Sequence, residues 1–126
     1  MNVKIMSRKE AKLYLPNSTA VIIRMGDRYP FDKLKGSYQD TIDLLFSDIE
    51  IESHYAIQEE DIIKIIEFID KNKNVNEIIV HCEYGQGRSP AIAFFISEYL
   101  RLNIIKKSDY PNINNFVISK CLKFIS

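Results

Sequence analysis

The residues best suited to chemistry stand together between positions 81 and 90, as His81-Cys82-Glu83-Tyr84-Gly85-Gln86-Gly87-Arg88-Ser89-Pro90. Cys82 is a nucleophile once ionised, and Arg88 presents a planar fork that can grip two oxygens of one anion, which a lysine cannot do. Five residues separate the two. A loop of that length can curl around one tetrahedral oxyanion, with the sulfur at its floor and the guanidinium at its rim. Gly85 and Gly87 allow positive φ and close approach of the backbone. The backbone of Glu83, Tyr84, Gly85, Gln86 and Gly87, together with Arg88, is then expected to cradle the anion.

Such a loop needs a strand to enter it and a helix to leave it. Glu77-Ile78-Ile79-Val80 reads as a buried strand, and residues 91–102 read as a helix. The unpaired N–H groups at the start of that helix face the loop, and its dipole favours negative charge there. The same positive surroundings favour a thiolate at Cys82.

Elsewhere, residues 3–6 read as a strand, and Ser7-Arg8-Lys9-Glu10 has the form of a capping box for a short helix to about Tyr14. Residues 20–24 read as a second buried strand. The segment 26–36 carries turn residues, and its Arg28 and Tyr29 are candidates to reach a ligand. Residues 41–46 read as a third strand, with Ser47-Asp48-Ile49-Glu50 at its end. Residues 57–71 show helical spacing of Ile62, Ile63, Ile65, Ile66, Phe68 and Ile69 behind the acidic turn Glu59-Glu60-Asp61. A terminal helix is expected over residues 112–125, with Cys121 on its apolar stripe. Strands alternating with helices predict an α/β fold, a single domain over residues 1–126, with a mainly parallel sheet of about four strands flanked by helices.

The pattern His81-Cys82-x5-Arg88-Ser89, with Gly85 and Gly87 inside it, resembles the active-site signature of the cysteine-dependent protein tyrosine and dual-specificity phosphatases. The resemblance implies that Cys82 is the nucleophile of a cysteinyl-phosphate intermediate and that Arg88 clamps the phosphate. Ser89 would hydrogen-bond the sulfur and help it leave, and His81 would help keep the thiolate from behind. In that family an aspartate about thirty residues before the cysteine protonates the leaving oxygen. Asp48 lies 34 positions before Cys82 in the setting Phe46-Ser47-Asp48, where Ser47 stands in the place of the family's proline. Asp43 and Asp32 are the alternatives. The implied substrate is phosphotyrosine in a protein or peptide, with phosphoserine and phosphothreonine as further candidates, and the implied chemistry needs no metal and no cofactor.

Composition narrows the field. Lysine plus arginine and aspartate plus glutamate are 17 each, so no excess of basic charge points to nucleic acid or to an anionic membrane as the main partner. Cys82 and Cys121 form no CxxC pair, and with only His54 and His81 beside them neither a disulfide framework nor a zinc site is suggested. His54 and Arg101 read as surface residues. No apolar run approaches a membrane span, so a cytoplasmic protein is expected, in a compartment that keeps a thiol reduced. Three competing readings use the same loop differently: the same chemistry on a nucleotide, RNA 5′ end or inositol phosphate, a sulfurtransferase or arsenate reductase, or a phosphate-binding module without catalysis. Glu83 and Tyr84 in the loop, where a polyphosphorylated substrate would favour lysines, weigh against the first. The Arg88-Ser89 pair weighs against a sulfurtransferase, and the position of Cys82 two-thirds along the chain against a small arsenate reductase.

Overall fold

Alternation of β-branched runs with amphipathic segments produces, in the computed structural model, which describes residues 1–126, four strands and four α-helices. In chain order these are β1 (Asn2–Ser7), α1 (Arg8–Leu13), β2 (Ala20–Gly26), β3 (Asp40–Leu45), α2 (Glu59–Lys71), β4 (Glu77–Cys82), α3 (Arg88–Tyr99) and α4 (Asn115–Ile125). The strands form one sheet in the order β1-β4-β2-β3, and all three pairings are parallel. This is the single α/β domain that the alternation predicts.

Period-two alternation decides which face each strand residue serves. Ile78 and Val80 of β4, and Val21, Ile23 and Met25 of β2, enter the larger core, with Ile62, Ile65, Phe95 and Val117 from α2, α3 and α4. Ile79 and Ile22 point the other way, into a smaller core closed by Ala11 of α1, Tyr14, Leu34 and Tyr38. Each fully buried isoleucine or phenylalanine contributes roughly 1.5–3 kcal/mol relative to an exposed one. The central strand β4 is buried at every position, Glu77 included. That carboxylate accepts from the Tyr14 hydroxyl at 2.9 and 3.0 Å and pairs with Lys4 at 2.6 Å, so its burial leaves no charge unpartnered.

Because every strand is parallel, their carboxyl ends share one edge of the sheet, the edge where open α/β folds place their sites. Ser7 stands level with Cys82, Arg24 with His81, and Gly26 with Leu45. The start of α1, the segment 27–39, the segment 46–58 and the loop 83–87 therefore converge.

Several boundaries differ from the sequence expectation. β4 extends past Val80 through Cys82, because its ladder with β1 continues to Ser7. Helix α3 begins at Arg88, three residues before the expected start, with Pro90 in its first turn, where its missing N–H costs nothing. It ends at Tyr99, and Arg101 and Asn103 then take positive φ. Helix α4 begins at Asn115, since Asn114 caps it by accepting from the Val117 N–H at 3.0 Å. The capping box of α1 is present as expected, with Ser7 and Glu10 each bonding the other's backbone.

Candidate functional site

Cys82 ends the central strand and is only 3% exposed. Its sulfur lies 3.1 Å from the Ser89 hydroxyl, and it accepts from the Ser89 N–H at 3.4 Å. The N–H contact directs positive hydrogen at the sulfur from the first turn of α3, where the helix dipole adds to it, and the hydroxyl can do the same once the sulfur is ionised. His81 is 5% exposed, and burial holds its pKa below the ordinary histidine value. Its Nδ1 lies 3.4 Å from the Cys82 carbonyl oxygen. A carbonyl only accepts, so this contact calls for the proton on Nδ1, while burial of the ring favours its neutral form.

The loop between Cys82 and Arg88 is shaped by its two glycines in different ways. Gly85 has φ +70, and a Cβ there would stand 2.9 Å from the Ser7 nitrogen, so both the backbone conformation and its seat against β1 require glycine. The Arg8 N–H donates to the Glu83 carbonyl at 3.0 Å and ties the loop to α1. Gly87 corrects the expectation of positive φ, because its φ is −116. What a side chain would meet at Gly87 is the Asp48 carboxylate, 2.9 Å away at Oδ1 and closer still at Oδ2. Gly87→Ala should therefore push the Asp48 carboxylate aside, while the backbone of the loop, in a region any residue adopts, stays in place. The expected result is a fall in turnover of the kind that loss of Asp48 gives, with stability changed by less than about 1 kcal/mol. If Asp48 is the acid that the sequence resemblance implies, phosphate release read beside thermal unfolding checks this, and equal damage to both would refute that assignment.

Arg88 is 4% exposed at the start of α3. Its Nη1 donates to the Phe46 carbonyl at 2.7 Å and to Asp27 at 3.0 Å, whereas its buried Nε has no partner. The N–H bonds of Nε and Nη2 lie parallel along one edge of a guanidinium and form its side-on fork. Arg8 and Arg24 spend that edge on carboxylates, gripping Asp32 and Asp43 through Nε and Nη2. In Arg88 the protein holds the opposite corner.

The three candidate acids sit in different surroundings. Asp32 is gripped by Arg8 at 2.6 and 2.9 Å, and that bonding holds its carboxyl below the usual carboxylate range. Asp43 is paired with Arg24 at 2.8 Å, on strand β3. Asp48 has no cationic partner, is exposed, and accepts from the Asn114 amide at 2.7 Å. A cleft of about 810 Å³ opens above the loop. Asp48, His81, Glu83, Tyr84 and Arg88 line it, as do Arg28 and Tyr29. Lys12, Arg28 and Lys33 add positive charge to its wall, and none of the three is engaged in an ion pair.

Other sequence candidates lie apart from the cleft. Cys121 is fully buried in the larger core, and burial pushes its thiol up to about 12. His54 is exposed and stacks edge-on against Tyr55. Arg101 is exposed beyond the end of α3. Two residues of the site escaped the sequence reading, Asp27 behind Arg88 and Asn114 behind Asp48. Both bonds span more than sixty positions, so nothing local announces them. The one signal in the sequence is an asparagine ahead of a helical pattern, which marks a cap but not its second partner.

No protein-family model matches the chain. It is 36% identical over 89 residues to a protein of Fowlpox virus (strain NVSL) that carries the name ankyrin repeat protein FPV240. The match takes in 67% of this chain and 21% of that protein, so the chain spans about a fifth of the length of the relative it matches. Wherever a stretch of that share begins within 126 residues, it includes residues 43–84, with Asp48 and Cys82 among them. Ankyrin repeats are units of about 33 residues built from a β-turn and two helices. The parallel sheet of this chain is not made of such units.

Proposed function

We propose that the chain is a phosphomonoesterase of the cysteine-dependent protein tyrosine and dual-specificity phosphatase type. The observation that carries this reading is the free edge of a buried guanidinium, in a loop whose other end is a thiol that accepts from the Ser89 N–H and lies in hydrogen-bond contact with the Ser89 hydroxyl. A buried N–H without a partner costs about 1–3 kcal/mol. An oxyanion seated in the loop would satisfy it.

In the proposed reaction the Cys82 sulfur attacks phosphorus, the phosphorus–oxygen bond to the leaving group breaks, and Asp48 gives its proton to the departing oxygen. Arg88 and the loop amides hold the equatorial oxygens, where charge is held through the transfer. Asp48, now a carboxylate, takes a proton from water, which attacks the cysteinyl phosphate and releases inorganic phosphate and the thiolate. Ser89, hydrogen-bonded to the sulfur, eases its departure. Positive charge on the cleft wall favours an anionic substrate such as a phosphotyrosine peptide, with phosphoserine and phosphothreonine as further substrates. No helix is long and apolar enough to cross a membrane, and a reducing cytoplasm suits the reactive thiol.

The test is release of phosphate from p-nitrophenyl phosphate and from phosphotyrosine peptides in the presence of a chelator, with acid quenching to trap phosphate on sulfur. Turnover with a phosphate label at Cys82 is expected. Absence of hydrolysis across aryl phosphates, phosphopeptides and nucleotides would overturn the reading.

A further inference from the structure

The overall balance of 17 basic and 17 acidic residues conceals a segregation of charge. Residues 37–63 hold eight acidic residues and no lysine or arginine. The basic excess lies on α1 and the segment 27–36, which meet on the outer side of the smaller core. Ala11 is the buried residue of α1, so Lys9 and Leu13, each two positions from it, share the helix face turned away from the sheet. Leu34 packs into the smaller core while its neighbours Lys33 and Lys35 stay exposed. The Lys35 N–H donates to the Lys12 carbonyl at 3.0 Å, which holds the two segments side by side.

On this face Lys9, Lys12, Arg28, Lys33 and Lys35 are all exposed, and none of them is in an ion pair. The acidic residues near them are already committed, Glu10 to the Ser7 N–H of the capping box, Asp27 to Arg88 and Asp32 to Arg8. Among these free cations stand Leu13, at the end of α1, and Leu15 just beyond it, each 59% exposed. Neither leucine lines the cleft above the loop.

From this combination we infer that the face formed by α1 and residues 27–36 docks on an anionic lipid surface, with its cations at the headgroups and Leu13 and Leu15 at the boundary with the acyl chains. Clusters of about four to eight basic residues are drawn to leaflets rich in phosphatidylserine, and apolar side chains among them add burial to the attraction. An acidic peptide or a nucleic acid would satisfy the cations but leave both leucines in water. Lys12, Arg28 and Lys33 belong to this face and to the cleft wall alike, so docking brings the mouth of the cleft to the membrane plane. The inference does not depend on the phosphatase reading, because lipid binding is measured without turnover.

Co-sedimentation with vesicles tests it, using phosphatidylcholine alone and phosphatidylcholine mixed with phosphatidylserine. Binding is expected to the mixed vesicles and not to the neutral ones, and it should weaken as salt is raised. Lys9→Gln and Lys35→Gln should each weaken it about fivefold. Lys64→Gln, which removes an exposed charge from α2 on the other face of the sheet, should leave it unchanged. Leu13→Ser combined with Leu15→Ser should weaken it by about tenfold or more. All these side chains are exposed, so the variants should fold as the wild type does, and circular dichroism checks that. No binding to either vesicle, equal binding to both, or a loss from Lys64→Gln equal to that from Lys9→Gln would overturn the inference. A leucine double variant that binds as tightly as the wild type would overturn it too, and would mark the face as one for an acidic protein or a nucleic acid.

Discussion

Cys82→Ser is expected to abolish turnover, by on the order of 10⁴- to 10⁶-fold, for every phosphomonoester the wild-type protein hydrolyses. The substitution changes one atom at the floor of the loop and leaves the start of α3 and the guanidinium of Arg88 in place, with Ser89 now facing an oxygen in place of the sulfur. What it removes is ionisation, because a serine hydroxyl at that position stays protonated at neutral pH and cannot attack phosphorus at a comparable rate. Binding of inorganic phosphate should survive, since the proposed donors are Arg88 and loop amides. Calorimetric titration with phosphate alongside a kinetic assay separates the two effects. The informative failure is a serine variant with substantial activity, which would mean that water attacks phosphorus directly and no cysteinyl phosphate forms. Loss of phosphate binding together with activity would instead mean that the loop needs the sulfur to keep its shape.

The fold was legible because its elements are set by local patterns. Ile78-Ile79-Val80 and Val21-Ile22-Ile23 are short β-branched runs of the kind that a strand buried on both faces accommodates, and the isoleucines of α2 recur at helical spacing behind an acidic first turn. Ser7 and Glu10 mark a helix start by chemistry that acts within three residues. Boundaries failed where tertiary contacts decide them. Cys82 remains in β4 because it pairs with Ser7, 75 residues earlier, and α3 starts at Arg88 with the Ser89 N–H turned to the sulfur. The candidate site divides in the same way. Cys82, Arg88 and Ser89 are close in sequence and could be read together, and Asp48 followed from its place after β3. The partners that aim them, Asp27 and Asn114, are ordinary polar residues in their own segments and acquire meaning only when the sheet brings its carboxyl ends together.

Replacement of the proposed acid has the second largest expected effect. Asp48→Asn should lower kcat for phosphotyrosine and alkyl phosphates by roughly 10²- to 10⁴-fold, with KM unchanged or lower, because only the transition state needs the proton. An asparagine there can still accept from Asn114 through its carbonyl oxygen, so the segment should keep its position. The loss should shrink for p-nitrophenyl phosphate, whose leaving group departs readily as an anion and has little need of protonation. A misfolded or misplaced loop would slow all substrates alike, and the ratio of losses between a tyrosyl and a nitrophenyl ester is therefore the quantity to measure. Asp32 and Asp43 are the comparison residues. Each is engaged with an arginine, and Asp32 is held ionised by Arg8 at the pH where a donor must carry a proton. Their asparagine variants should lose stability through the broken ion pairs and show no dependence on the leaving group. If instead Asp32→Asn or Asp43→Asn gives the selective loss and Asp48→Asn turns over both esters at the wild-type rate, the proton comes from that residue, and the contact between Asp48 and Gly87 is packing alone.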